Sequence, residues 1–295
     1  RARLGDGRRC YALVHPAMPD VPLVMIHCAL LDEIPSSLQQ VQTRSTEDDP
    51  RCAAFWSISS TQDGLRGIDL GHALIKRAVS ELRVDFQSLE HFSTLSPIPG
   101  FMPWLRALGD GDSGDGDGDG DGGVDSALDA LRNALDDAGV VSAVIAAGDS
   151  EGEDGAPASS SALRVGALRL AERYLLDEVR SGSANAGGSA STSTALCPVL
   201  NFHCRNGAVV HRLNWGADPS ERGLRQSAGI MVNYRYDLDA LEQNAIRYVA
   251  GGARHRAASA EAPEQTRAPE ELSAEERVAK VEARLAQIGR GGRVA

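Results

Sequence analysis

The sequence is poor in aromatic residues (4%), short of basic charge, and holds only five cysteines in 295 residues. Each scarcity excludes something. Lysine plus arginine number 30 against 41 aspartates and glutamates, a formal net charge of −11. General nucleic-acid binding needs a basic footprint to replace phosphate counterions, and that footprint is missing. Cys10, Cys28, Cys52, Cys197 and Cys204 are scattered, odd in number and include no Cys-x-x-Cys pair. This argues against a disulfide framework or a zinc site and for free thiols in a reducing compartment. Uncharged apolar stretches such as Ala138–Gly148 fall far short of the ~20 residues that span a bilayer, and no secretory signal heads the chain. With no cluster of metal ligands either, neither a metal nor an organic cofactor is expected. The chain opens on Arg1-Ala2-Arg3 without a methionine, so a fragment or a processed product is expected.

The acidity is uneven. Seven aspartates and no basic residue lie between Asp110 and Asp125, so the remainder carries only −4 and has room for a local basic patch facing an anionic ligand. The Gly-Asp alternation of residues 109–123 lacks the glutamate and the incoming helix of a calcium loop and reads as a solvated insert. Further inserts are expected at 149–161 and 181–194, with the first set at 109–125. The resulting organisation is one domain over residues 1–250, then a charged, partly helical tail over 251–295.

Apolar β-prone runs at Tyr11–His15 and Leu23–Leu30 flank a turn-rich Pro16–Asp20, which predicts a hairpin. A short helix is expected at Pro35–Val41 and a buried strand at Cys52–Ser59. In Gly67–Leu82, the residues Ile68, Gly71, Ile75, Ala78, Val79 and Leu82 share one helical face. Phe92–Ser96 reads as a strand stopped by Pro97-Ile98-Pro99-Gly100, followed by a short helix carrying Trp104 and Leu105. Helices are predicted near Val124–Ala138 and Ala162–Arg180. Val199–Arg205 and Ala208–Asn214 surround Asn206-Gly207, a strong type I′ turn signal, and predict a second hairpin. In that register His203 sits opposite Val210 on the polar face, and Leu200, Phe202, Cys204, Val209, His211 and Leu213 face the core. Gly229–Tyr236 reads as a strand and Leu238–Val249 as a helix.

The order strand, glycine-bearing loop, helix, strand over Cys52–Ser96 is the part that carries chemistry. A helix N-terminus exposes unpaired N–H groups and a partial positive charge, which suits a pyrophosphate. Arg66-Gly67-Ile68-Asp69-Leu70-Gly71 resembles, in part, the Arg/Gln-x-x-Gly-x-Gly/Ala loop of the GNAT acetyltransferase superfamily, with Asp69 standing where that motif has its first glycine. The longer blocks Ser57–Gly71, Leu74–Arg77 and Leu95–Phe101 resemble the malonyl-CoA decarboxylase family. So do Asn201-Phe202-His203, Asn206–Val209, Asn214-Trp215 and Asn233-Tyr234-Arg235-Tyr236, in family order.

The resemblance implies an α/β (α+β) fold, an acetyltransferase-like mixed sheet flanked by helices. It implies conversion of malonyl-CoA to acetyl-CoA and CO2, without a cofactor, by a soluble homo-oligomer of mitochondrion, peroxisome or cytosol. It also implies that the family's N-terminal helical domain is not part of this chain. The glutamate of the animal enzymes is Asp69 here, one methylene shorter.

Residue by residue, His203 is expected as the general acid that protonates the enolate, since an imidazole holds or gives a proton near neutrality. Ser96, presented from a strand end by Pro97, matches the family's serine. Orientation of the carboxylate suits it better than proton acceptance, because a hydroxyl is a poor base without a basic partner. Tyr236 matches an active-site tyrosine, although a core aromatic would look the same. Asp69 either positions His203 or the substrate, or is a plain helix-start carboxylate. Arg66, Gly67, Ile68, Asp69, Leu70, Gly71 and His72 are expected to face the CoA pyrophosphate, with Lys76 and Arg77 as solvated charges. Two rival readings remain: a CoA-dependent acyltransferase of the same fold, and a catalytically silent CoA-binding fragment.

Overall fold

The computed structural model describes residues 4–43, 46, 48–65, 70–108, 122–147, 158–180 and 194–251. Most of the Gly-Asp tract and of the other two inserts, the tail beyond 251 and Arg66, Gly67, Ile68 and Asp69 therefore lie outside the described residues.

In chain order the elements begin with β1 (Arg8–His15), β2 (Met18–Leu31), α1 (Leu38–Thr43), β3 (Cys52–Ser60), α2 (Leu70–Asp85), β4 (His91–Thr94) and β5 (Ser96–Pro97). Then come α3 (Phe101–Ala107), α4 (Gly122–Asp136), α5 (Ala138–Ala147), α6 (Ala158–Leu176), β6 (Val179–Arg180) and β7 (Thr194–Ala195). The last set is α7 (Pro198–Arg205), β8 (Val209–Asn214), α8 (Glu221–Ser227), β9 (Met231–Tyr236) and α9 (Leu241–Gly251). A seven-stranded sheet runs β1-β2-β3-β4-β9-β5, with β8 also paired to β9. Among the described residues, only β3 and β4 pair in parallel. The expected fold class, a mixed sheet flanked by helices, is what the chain adopts.

Period-two alternation on β2 explains the layering. Val24, Ile26, Cys28 and Leu30 enter the large core under α2, whereas Ala29 and Leu31 enter a smaller one with Val41, Ala54, Leu95 and Met231. α2 buries Gly71, Leu74, Ile75, Ala78, Val79 and Leu82, the face expected from its spacing. No helix among the described residues is long and apolar enough to cross a membrane.

Between β3 and β4 the ladder runs from Cys52↔His91 to Phe55↔Thr94, and Leu95 N–H still reaches Phe55 O. Beyond that point β3 continues to Ser60 along β2, while Ser96 and Pro97 stay on β9, as β4 does, and no longer pair with β3. The two parallel strands part there and open a wedge in the sheet.

Three expectations are corrected. The first hairpin forms, but its turn is only Pro16-Ala17, with β2 starting at Met18. The apolar run Ala138–Ala147 is a helix of its own, and the helices flanking the inserts begin at Gly122 and Ala158, inside the expected insert bounds. The larger correction concerns Val199–Arg205, which is helical rather than the first strand of a hairpin. Seven residues satisfy both periods. Leu200, His203 and Cys204 fall on one helical face and are buried, and Pro198 occupies the first turn, where its missing N–H costs nothing. Asn206 has φ −88° and only Gly207 has a positive φ, +82°, so the pair closes a helix instead of forming a type I′ turn. Gly207 N–H donates to Cys204 O at 3.0 Å and Ala208 N–H to His203 O at 3.0 Å, the pairing of a Schellman motif. His203 is consequently buried (4% exposed) instead of lying on a polar strand face.

Candidate active site

Four elements meet at the open end of the wedge. β4 and β5 bring Thr94 and Ser96, two residues apart and so on one side of the chain. α7 brings His203 from its last turn, and β9 brings Tyr234 and Tyr236 from alternate positions on one face. Ser96 Oγ lies 3.3 Å from His203 Nε2, and His203 Nδ1 lies 2.7 Å from the Tyr236 hydroxyl. On the far side of Ser96, its Oγ is 2.9 Å from Thr94 Oγ1, and Thr94 Oγ1 accepts from the Tyr234 backbone N–H at 3.1 Å. The result is a continuous row of hydrogen-bonding groups: Thr94, Ser96, His203, Tyr236.

Packing fixes the ring. His203 stacks on Tyr234 with centroids 4.4 Å apart and 25° between planes, and Phe202 meets it edge-on at 5.0 Å. Phe202 in turn presses on the first turn of α2. A Cβ on Gly71 would stand 2.8 Å from Phe202 Cζ, so the absent side chain at Gly71 lets α7 approach α2. Burial pushes the His203 pKa down to about 3, because the charged ring has lost its water. The imidazole is therefore neutral, with a single N–H for its two polar neighbours. Burial also raises the Tyr234 phenol well above its ordinary range, so it acts as a neutral stacking platform.

A network of fixed direction supports this row from behind. The Asn233 side-chain amide donates to Thr94 O at 2.7 Å and to Pro35 O at 3.0 Å. Its oxygen therefore faces Asn214 Nδ2 at 2.8 Å, and Asn214 Oδ1 accepts from Arg212 Nε at 2.8 Å. Arginine has only donors, so no amide in this chain can be turned around.

Of the residues singled out in the sequence, Ser96, His203 and Tyr236 are brought into contact. Leu70 starts α2 and is half-buried, and Gly71 sits under Phe202. His72 lines a cavity of about 430 Å³ together with Lys76, Arg83, Asn206 and Tyr236. That cavity lies between α2 and the start of α9. Among the described residues no group of three or more His, Cys, Asp or Glu could hold a metal ion. Sequence reasoning passed over Thr94 and Tyr234. The first was legible in principle, since strand alternation puts residue 94 on the side of Ser96; the second stood within a noted motif without a role.

A buried neutral imidazole, held between a hydroxyl and a phenol where two parallel strands part, has the chemistry to take up or give a proton. Comparison with known proteins makes this specific. The model of the malonyl-CoA decarboxylase C-terminal domain matches residues 1–275. The mitochondrial malonyl-CoA decarboxylase of Anser anser anser is 37% identical over 276 residues, covering 88% of this chain and 50% of its own length. That of Rattus norvegicus is 38% identical over 258 residues, covering 84% and 49%. The solved malonyl-CoA decarboxylase of Agrobacterium vitis superposes with a TM-score of 0.65 at 34% identity, over 85% of this chain and 56% of that one. The chain belongs to the malonyl-CoA decarboxylase family. It spans about half the length of the curated relatives it matches.

Proposed function

We propose that this chain carries the decarboxylation site for malonyl-CoA, releasing acetyl-CoA and CO2. The observation that carries the reading is the Ser96–His203–Tyr236 row at the mouth of the wedge, in a chain of this family. Loss of CO2 breaks the bond between the carboxylate carbon and the α-carbon and leaves the electron pair in a thioester enolate. The site then has two tasks: to hold the carboxylate out of the thioester plane, and to give the α-carbon one proton.

Ser96 serves the first as a hydrogen-bond donor. His203 serves the second. The ring is neutral while the site is empty, but a carboxylate within a few ångströms favours the charged form and raises the pKa. The incoming malonyl group thus loads a solvent proton onto Nε2, while Nδ1 keeps its own proton on Tyr236. Decarboxylation releases neutral CO2 and moves the substrate's negative charge onto the enolate, the Nε2 proton then passes to the α-carbon, and the ring returns to neutral. One proton is consumed per turnover, and Tyr236 partners Nδ1 throughout. Arg66, Gly67, Ile68 and Asp69, with Leu70, Gly71 and His72 at the start of α2, belong to the same proposal as the CoA-binding loop. Asp69 is included there for substrate or His203 positioning, and a homo-oligomer is the expected assembly.

The test is release of acetyl-CoA from malonyl-CoA with no acyl acceptor present, a condition under which a transferase is silent. His203→Asn and Ser96→Ala should each lower turnover by ~10²-fold or more. Unchanged rates in both variants would overturn the assignment.

A further inference from the structure

The direction of the hydrogen bonds through Ser96 can be worked out from β9. Ser93 faces Arg235 and Ser96 faces Val232, three residues on along each strand, so the register between β4–β5 and β9 is continuous. The ladder is nevertheless open between these pairs. Side chains take over the backbone groups there: the Tyr234 N–H goes to Thr94 Oγ1 rather than to a carbonyl, and Thr94 O accepts from Asn233 Nδ2. Two consecutive residues of β9 thus hold Thr94 at both its hydroxyl and its carbonyl.

Thr94 is 1% exposed, and its hydroxyl hydrogen needs an acceptor. Among the described residues, Ser96 Oγ is the partner within reach. Were Ser96 to donate to Thr94 instead, Thr94 Oγ1 would accept twice and its own hydrogen would be buried unpaired. Pairing the buried Thr94 hydrogen therefore requires Thr94 to donate to Ser96 and Ser96 to donate to His203 Nε2. That leaves the single ring proton on Nδ1, donated to Tyr236.

We propose that Thr94 is a positioning residue: held by the Tyr234 amide, its hydroxyl turns the Ser96 hydrogen toward His203 and keeps Nε2, the nitrogen facing Ser96, as the proton-free one. The consequence rests on the decarboxylase reading, since a vacant Nε2 is where the catalytic proton loads; the geometry does not. With ¹⁵N-labelled histidine, the ligand-free protein should show His203 protonated at Nδ1 and bare at Nε2, the signal being identified by its loss in His203→Asn. Thr94→Val should populate the opposite tautomer and lower kcat for malonyl-CoA about tenfold, with KM within twofold. Thr94→Ser should restore both the tautomer and the rate to within twofold.

A wild-type ring protonated at Nε2, a Thr94→Val variant with full kcat, or a Thr94→Ser variant as slow as the valine one would each overturn the proposal. Should Thr94→Val fail to fold, the wild-type tautomer and the serine variant still decide it. A wild-type protein that leaves malonyl-CoA intact would refute the proposed function, and the tautomer would still judge Thr94.

Discussion

Removal of one oxygen, Tyr236→Phe, tests the site most directly. The phenol stands 2.7 Å from His203 Nδ1, and both residues are 4% exposed. In the resting protein the substitution leaves a buried ring N–H unpaired, which costs about 1–3 kcal/mol of stability. During turnover the loss is larger in kind, because the ring is then charged and needs both N–H groups partnered. A hydrogen bond to a charged group contributes about 1.5–3 kcal/mol, and each ~1.4 kcal/mol is tenfold in rate. A fall in kcat of ~10- to 150-fold is therefore expected. KM should stay within about threefold, since Nδ1 points away from Ser96. Acetyl-CoA release measures the rate, and urea denaturation followed by tryptophan fluorescence measures the stability. A folded Tyr236→Phe protein with kcat within threefold of the parent would refute the reasoning and reduce Tyr236 to a packing residue.

Two further perturbations follow from the same geometry. In Gly207→Ala the new Cβ would lie 2.1 Å from the Leu241 carbonyl oxygen, at a residue with φ +82°. Left-handed strain and a backbone clash together should cost about 3 kcal/mol or more, and a urea midpoint that barely moves would contradict the helix cap. Acid should destabilise the fold through its neutral histidines. Burial holds His203 down near 3, while the unfolded chain titrates near ~6.5. Between these values the unfolded state binds the extra proton, so stability falls as pH drops from ~6.5 toward ~3 and is undiminished above that window. Half-buried His211, lowered to about 4 by burial and by Arg235, Arg212 and His91, adds a smaller, solvent-screened share. Denaturation at pH 6.5 and 5 should differ by about 1–2 kcal/mol on account of His203, and His203→Asn should flatten that difference; an equally steep profile in the variant would point to the carboxylates instead.

Periodicity alone reached the elements whose partners are close in sequence or whose pattern is long. The face of α2, the β1–β2 hairpin, the strand Cys52–Ser60 and the strand Met231–Tyr236 were all legible in this way. Ser96, His203 and Tyr236 were legible because their local motifs are distinctive, not because anything in the sequence between the first two, 107 positions apart, says that they touch. Seven residues around His203 were too few to separate a period of 2 from one of 3.6, and Asn206-Gly207 serves a helix end as well as a turn.

What the sequence determined by itself is the set of chemical groups, and the buried face of those elements whose apolar pattern is long: local propensity, apolar spacing, a proline after Ser96 and a glycine at residue 207. What only the tertiary structure decided is the electrical state of that chemistry. Burying His203 between α7 and β9 removes the water that would charge it, and the opened ladder at Thr94 aims the hydroxyl beside it. Dielectric and hydrogen-bond direction depend on every neighbour at once, and those neighbours come from strands and helices far apart in the chain.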